Sequence, residues 1–234
     1  MRYALYFTPP ADDPLTSRAS EWLGRDAFSG DIRGFDGRGP FSTEAFAAHT
    51  QDPRRYGFHA TIKAPFELAS GRSEAELLAA FDTFCAARPA FDIPEIVIGQ
   101  LGPFFALIPG ATHQPLQDFA AAAVEAFEPF RAALSETDIA RRKPERLSLA
   151  QRAYLDRFGY PYVMEEFRFH MTLTGPMEAT DAAAMRELAE AHFARFTGKP
   201  LRISGLALFV ETERGAPFTV HAWQPLSGAR TLES

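Results

Sequence analysis

The sequence predicts an α+β fold of two lobes, each an antiparallel sheet with helices packed outside, around a central cleft. Two observations carry this. The strings Gly57-Phe58-His59-Ala60-Thr61-Ile62-Lys63 and Arg168-Phe169-His170-Met171-Thr172-Leu173-Thr174 read almost alike. Each alternates polar and apolar residues, so on a strand the two kinds face opposite ways. Each string is also followed by the same order of elements, a helix and then two strands, and the strings lie about half the chain apart. That spacing is too long for a solenoid repeat and suits two lobes related by duplication. Equivalent strands would then face His59 toward His170 about a pseudo-twofold axis. The expectation is one bilobed domain over 1–234, with the first motif's lobe around 41–110 and the second's around 160–225.

Taken in order, Tyr3 to Phe7 is a short aromatic run ended by Pro9-Pro10, hence a strand. Leu15 to Phe28 has helical apolar spacing, and Gly30, Gly34, Gly37 and Gly39 mark a loop. Phe41 to Ala48 reads as a short helix capped by Ser42 or Thr43. The first motif strand is expected from about Tyr56 to Ala64. Ser73 and Glu76 form a capping-box pattern ahead of Leu77, Leu78, Phe81 and Phe84. Ile93 to Gly99 and Gly102 to Pro109 pair as strands, and Leu116 to Leu134 is an Ala-rich helix broken at Pro129. Ile139 to Arg157 gathers Arg141, Arg142, Lys143, Arg146, Arg152 and Arg157, with a helix from Ser148 to Phe158. A second motif strand over Phe167 to Gly175, a helix over Asp181 to Phe196, and strands over Leu201 to Val210 and Phe218 to Trp223 complete the chain.

A 46% hydrophobic fraction with 22 Phe indicates a packed core rather than disorder. The net charge of −6 argues against nonspecific duplex binding, which neutralises many phosphates, though not against a local basic pocket. Cys85 is the single cysteine and falls in an expected helix, so it reads as a small buried hydrophobe in a reducing compartment. No apolar run approaches the roughly 20 residues of a membrane span. The N-terminal residues lack the pattern of a secretory signal, and a cytoplasmic location is the expectation.

The chemistry resides in the paired His-x-Thr strings. Residues two apart on a strand project the same way, roughly 6.5–7 Å apart, so Thr61 can hold one phosphate oxygen while His59 addresses another. Thr172 and His170 mirror them. Imidazole titrates near neutrality, so one ring can take a proton while the other gives one. Lys63, Arg168 and Thr174 share the histidine faces and could reach phosphate. Arg54 and Arg55 precede the first strand, where one could close over substrate, and Tyr56 or Tyr162 could stack on a base or sugar. A metal site is the chemical rival, but no His-x-His or His-x-x-x-His pair occurs, and Glu165 and Glu166 read as solvated. The Arg141 to Arg157 segment reads as an RNA-binding ridge, a lid over a small anion, or a solvated helix face. No Walker loop, dinucleotide fingerprint or His-Glu-x-x-His string is present.

His59-Ala60-Thr61 and His170-Met171-Thr172, in this strand context, resemble the paired motifs of the 2H phosphoesterase superfamily. The longer strings from Arg55 to Phe66, from Gly159 to Tyr162 and from Phe167 to Gly175 are similar to a branch of it associated with phosphonate metabolism. The likeness covers nearly the whole chain. It implies a metal-free bilobed fold, no cofactor, cleavage or closure of cyclic phosphates and phosphodiesters, and both histidines in catalysis. The implied substrate is a small phosphorylated molecule such as a cyclic ribose phosphate or nucleotide. RNA is a second candidate, either as an end bound in a catalytically idle cleft or as a partner in 2′-5′ ligation chemistry.

Overall fold

Local signals set most element boundaries in the computed structural model, which describes residues 1–34 and 36–229. Strand β1 (Arg2–Phe7) leads to α1 (Pro14–Leu23), where the Asp13 side chain accepts from the Leu15 amide. Gly24, with φ 72°, ends this helix earlier than the spacing predicts. Two short helices follow, α2 (Thr43–His49), capped by Ser42, and α3 (Gln51–Tyr56). Next come β2 (Ala60–Phe66) and α4 (Glu74–Ala86), whose Ser73–Glu76 capping box forms as expected. Strands β3 (Phe91–Leu101) and β4 (Phe104–Pro109) make a hairpin. Helix α5 (Gln114–Ala126) stops short of Pro129, which instead lies in a 3₁₀ turn, Glu128–Phe130. After α6 (Glu136–Arg141) and α7 (Leu149–Phe158) come β5 (Met171–Thr172) and α8 (Ala179–Phe193). The expected strand over Leu201 to Val210 is two, β6 (Lys199–Ile203) and β7 (Gly205–Glu211), followed by β8 (Thr219–Pro225).

The α+β class and the antiparallel pairing hold, but the two expected sheets are hydrogen-bonded into one. Its eight strands run in the order β6-β3-β4-β5-β2-β1-β7-β8. The halves β6-β3-β4-β5 and β2-β1-β7-β8 meet at a single ladder pair, Ala60 with Met171. They are also interleaved in sequence. The hairpin after the first motif, β3-β4, pairs with the second motif's strand, whereas β7-β8, after the second motif, sits in the first motif's half. The ranges 41–110 and 160–225 therefore each contribute to both halves. Ser204 alone separates β6, at one edge, from β7, next to the other edge, so the sheet must curl.

Alternation along the strands divides the sheet's faces. Tyr3, Leu5 and Phe7 of β1, with Leu206, Leu208 and Val210 of β7, join the main core with residues of α1, α4, α5 and α8. Ala4, Tyr6, Ala207 and Phe209 point the other way, onto a smaller cluster with Ala27 and Phe218. Cys85 lies in the main core, where burial pushes its thiol up to about 12. Among the described residues, no helix is long and apolar enough to cross a membrane.

Both motif strands are shorter than the alternation suggests. The first begins at Ala60, because α3 runs to Tyr56 and Gly57 takes φ 78°. The second has ladder pairing only at Met171 and Thr172. Tertiary bonds hold it instead. The Trp22 indole donates to the Leu173 carbonyl at 2.9 Å, the Phe105 amide donates to Thr174 Oγ1 at 3.0 Å, and the Gly175 amide donates to the His49 carbonyl at 2.7 Å.

His192 packs on Trp22 with ring centroids 5.1 Å apart. Its Nε2 donates to the Arg18 carbonyl at 2.8 Å, and its Nδ1 accepts from Arg38 at 2.9 Å. Burial, aided by the charges of Arg18 and Arg38, lowers it to about 4. A second proton would occupy the lone pair that Arg38 uses. The unfolded chain therefore binds a proton below pH ~6.5 that the folded chain refuses until about 4. Stability contributed by neutral His192 is complete above that window and is lost as pH falls through it. Denaturant unfolding from pH 7 to 4 should show a declining free energy, and His192→Gln should flatten the decline; an unaltered slope would remove this residue as the cause.

Candidate active site

The two motifs adopt one local arrangement. His59 Nδ1 donates to the carbonyl of Gly57 at 2.8 Å, and His170 Nδ1 donates to that of Arg168 at 2.7 Å. A carbonyl can only accept, so each neutral ring carries its proton on Nδ1 and presents the Nε2 lone pair. Thr61 Oγ1 lies 3.3 Å from His59 Nε2. The pairing of Ala60 with Met171 places His59 across from Thr172 and Thr61 across from His170. Ala60 and Met171 are buried in the core, so the four motif side chains occupy the opposite face. Directly opposed side chains have Cβ atoms about 4.5–5.5 Å apart, and diagonal neighbours, here the two histidines, about 7–8 Å.

Surroundings differ where sequence does not. Tyr6 stacks on His59 at 3.9 Å and 23°, and Tyr56 lies 6.0 Å away. His59 is half-buried and lines a cavity. Desolvation, opposed by the Gly57 bond and reinforced by the charge of His170, lowers it to about 4. His59 is thus neutral at pH 7. His170 stands beside Phe104, with ring centroids 5.8 Å apart.

A cavity of about 320 Å³ opens over this face. His59, Thr61, Thr172 and Thr174 line it together with Tyr6, Tyr56, Tyr160, Phe104, Asp52, Arg2 and Arg142. His170 is not among its lining residues, although its neighbour Phe104 is. Among the described residues, no three His, Cys, Asp or Glu side chains group as a metal site.

The expected binding residues divide. Tyr56 lines the cavity, braced on Phe218 at 5.2 Å and 19°. Thr174 lines it too, but its hydroxyl is buried and engaged by the Phe105 amide. Lys63 is on the wrong face. Between Thr61 and Lys63, β2 advances two residues while β1 advances one, from Tyr6 to Leu5. This bulge inverts the alternation. Lys63 therefore enters the core side and bonds Glu128 at 2.7 Å and the Val124 carbonyl at 3.1 Å. Arg55 turns away to Glu211 at 2.5 Å and to the carbonyls of Gly215 and Ala216. Arg168 is exposed and bonds the carbonyls of Glu165 and Phe167, outside the cavity. Tyr162 is exposed as well, edge-on to Tyr160 at 5.5 Å.

Sequence reasoning missed Arg2, Tyr6, Asp52, Phe104 and Tyr160, and it placed Arg142 only within a basic segment. Tyr6 belongs to a run with no polar alternation, so only the register with Thr61 reveals it. Tyr160 precedes the expected Tyr162 by two positions.

A family model described as a protein of unknown function, DUF1045, matches residues 61–219. The chain belongs to the DUF1045 family. This DUF1045 chain is 40% identical over 233 residues to a protein from Janthinobacterium sp. (strain Marseille) named ribose 1,5-bisphosphate phosphokinase PhnN, covering 97% of this chain and 51% of that one. A protein of the same name from Laribacter hongkongensis (strain HLHK9) is 34% identical, over 100% of this chain and 54% of its own length. The chain spans about half the length of these curated relatives. Similar solved structures include TT0787 of Thermus thermophilus, at 16% identity and TM-score 0.45, covering 98% of this chain and 100% of that one. Another, named only as a phosphoesterase, has 14% identity and TM-score 0.41, covering 96% and 98%.

Gly57 is the local device that aims His59. Its φ of 78° disfavours any side chain, and an added Cβ would lie 2.5 Å from Ala27 Cβ. Gly57→Ala should cost roughly 1–3 kcal/mol and shift the imidazole NMR resonances of His59 while sparing those of His170. Unchanged His59 resonances would show that the turn does not position the ring.

Proposed function

We propose that this protein is a metal-independent phosphoesterase that hydrolyses a cyclic phosphate or a small phosphodiester. The observation that carries the reading is the matched pair of motifs: two rings with Nδ1 held by a carbonyl, set across from two threonines on one sheet face. His59, neutral at pH 7, takes a proton from water at Nε2. The water oxygen attacks phosphorus, the bond to the leaving ester oxygen breaks, and protonated His170 supplies the proton that oxygen needs. Thr61 and Thr172 donate to non-bridging oxygens, where charge grows. The two rings then exchange protons with solvent to restore the starting states.

The reading also takes in the relatives' name, which concerns a ribose bisphosphate, and the branch's association with phosphonate metabolism. Both direct the substrate search to ribose phosphates. A screen of cyclic ribose phosphates, nucleoside cyclic phosphates and short oligonucleotides tests it, and binding without turnover throughout would favour an idle nucleotide-binding cleft.

His59→Ala and His170→Ala should each lower kcat/KM by roughly 10²–10⁴-fold, and the double variant by less than the product. A highly acidic leaving group should rescue only His170→Ala. Because the base must be neutral, kcat/KM should climb with pH through about 4 and fall again as the acid loses its proton; the lower limb should vanish in His59→Ala. Treatment with a strong chelator should leave turnover intact. Near-normal rates in both single variants would reduce the motifs to scaffold.

A further inference from the structure

The cavity over the motifs adjoins a second one. This neighbour, of about 300 Å³, lies among Glu67, Ser135, Asp138, Arg141 and Arg214. Arg2 and Arg142 line both cavities, whereas the motif residues line only the first, so the two arginines stand at the border. Most of the positive charge there is already matched. Arg214 bonds both Asp138 oxygens, at 2.7 and 3.0 Å, and Glu67 at 3.0 Å. Arg2 is held by Glu211 at 2.5 Å, and Arg141 lies 3.7 Å from Asp138.

Arg142 is the exception. Among the described residues its guanidinium forms no ion pair and no side-chain hydrogen bond. It rests on the ring of Tyr160, 5.0 Å from the centroid, and Tyr160 itself lines the first cavity. Stacking on an aromatic face fixes a guanidinium without using its N–H donors. A half-buried cation is thus held in place with its donor fork free, in the wall of the cavity that holds the motif threonines.

We propose that Arg142, with Arg2 beside it, is the specificity determinant for a second phosphoryl group on the substrate. The molecule taken is then a cyclic phosphate of a small sugar or nucleoside that also carries a phosphate monoester. This rests on the phosphoesterase reading of the motifs. A monoester dianion matches the bidentate geometry of a free guanidinium. A cavity of about 320 Å³ suits a sugar with two such groups rather than a strand. The rest of the basic segment does not extend the grip: Arg152 bonds the Glu145 carbonyl, Arg157 lies over Phe158, and neither lines either cavity.

The test compares adenosine 2′,3′-cyclic phosphate with its 5′-phosphorylated counterpart. The parent should favour the doubly phosphorylated molecule in kcat/KM by roughly 10–100-fold. Arg142→Gln should collapse that ratio, and Arg142→Lys should restore part of it. Turnover with no preference, or a preference that survives Arg142→Gln, overturns the proposal. Calorimetry with ribose 5-phosphate separates this from failure of the chemistry. If neither cyclic phosphate turns over, binding that Arg142→Gln weakens at least tenfold, and His170→Ala does not, still supports the subsite. Binding indifferent to Arg142 ends it, provided the variants melt as the parent does.

Discussion

One ladder pair, Ala60 with Met171, joins the halves of the sheet and sets the site. Side chains on a strand alternate with a period of two, so a slip of one residue exchanges the faces completely. It would send the histidines and threonines into the core and expose Ala60 and Met171. Burial of those two residues at 0% exposure therefore enforces the register that aligns the motifs. Two residues of strand are too few to fix this alone. The Trp22 indole, the Thr174 hydroxyl and the Gly175 amide supply the missing constraints from α1, β4 and α2.

Interleaving extends that dependence to the whole chain. Each half of the sheet draws strands from both the first and the second half of the sequence, so neither motif can be positioned until distant segments have paired. The fully buried Glu211 illustrates the point. Burial alone would raise its carboxyl, but hydrogen bonds from Arg2, the Gly215 amide and Arg55 hold it below the usual range. A carboxylate taken out of water this completely requires such partners. It ties the first strand to the hairpin after the second motif, and it fixes Arg2 at the border of the two cavities.

Much of this was legible in the sequence, for identifiable reasons. The capping box at Ser73, the helix from Ser148 to Phe158, the interruption near Pro129 and the histidine faces all follow from local backbone chemistry, whereas the early stop at Gly24 does not follow from apolar spacing. What failed was alternation carried past an irregularity. Lys63 shares a face with Thr61 on an ideal strand, and the bulge opposite β1 removes it; no residue type within β2 announces that bulge. Arg168 was placed by the same alternation, but the chain is not a strand there, and its guanidinium folds back on its own backbone. The joining of two sheets into one, and the selection of Tyr6 and Tyr160 for the cavity wall, depend on partners far away in sequence.

The near-identity of the motifs poses a question of its own, because acid–base catalysis needs two unlike groups. Both rings are oriented by the same kind of carbonyl bond, and both sit across from a threonine. The difference lies outside the motifs. β1 places Tyr6 nearly flat against His59 at 3.9 Å, while β4 sets Phe104 beside His170, tilted at 5.8 Å. Desolvation then disfavours a charge on His59, and a positive His170 disfavours it further. The two effects reinforce each other, since a proton resident on one ring makes the other a poorer place for a second. On the proposed phosphoesterase reading, the repeated motif would yield a base and an acid through the unequal neighbours that the interleaved sheet supplies.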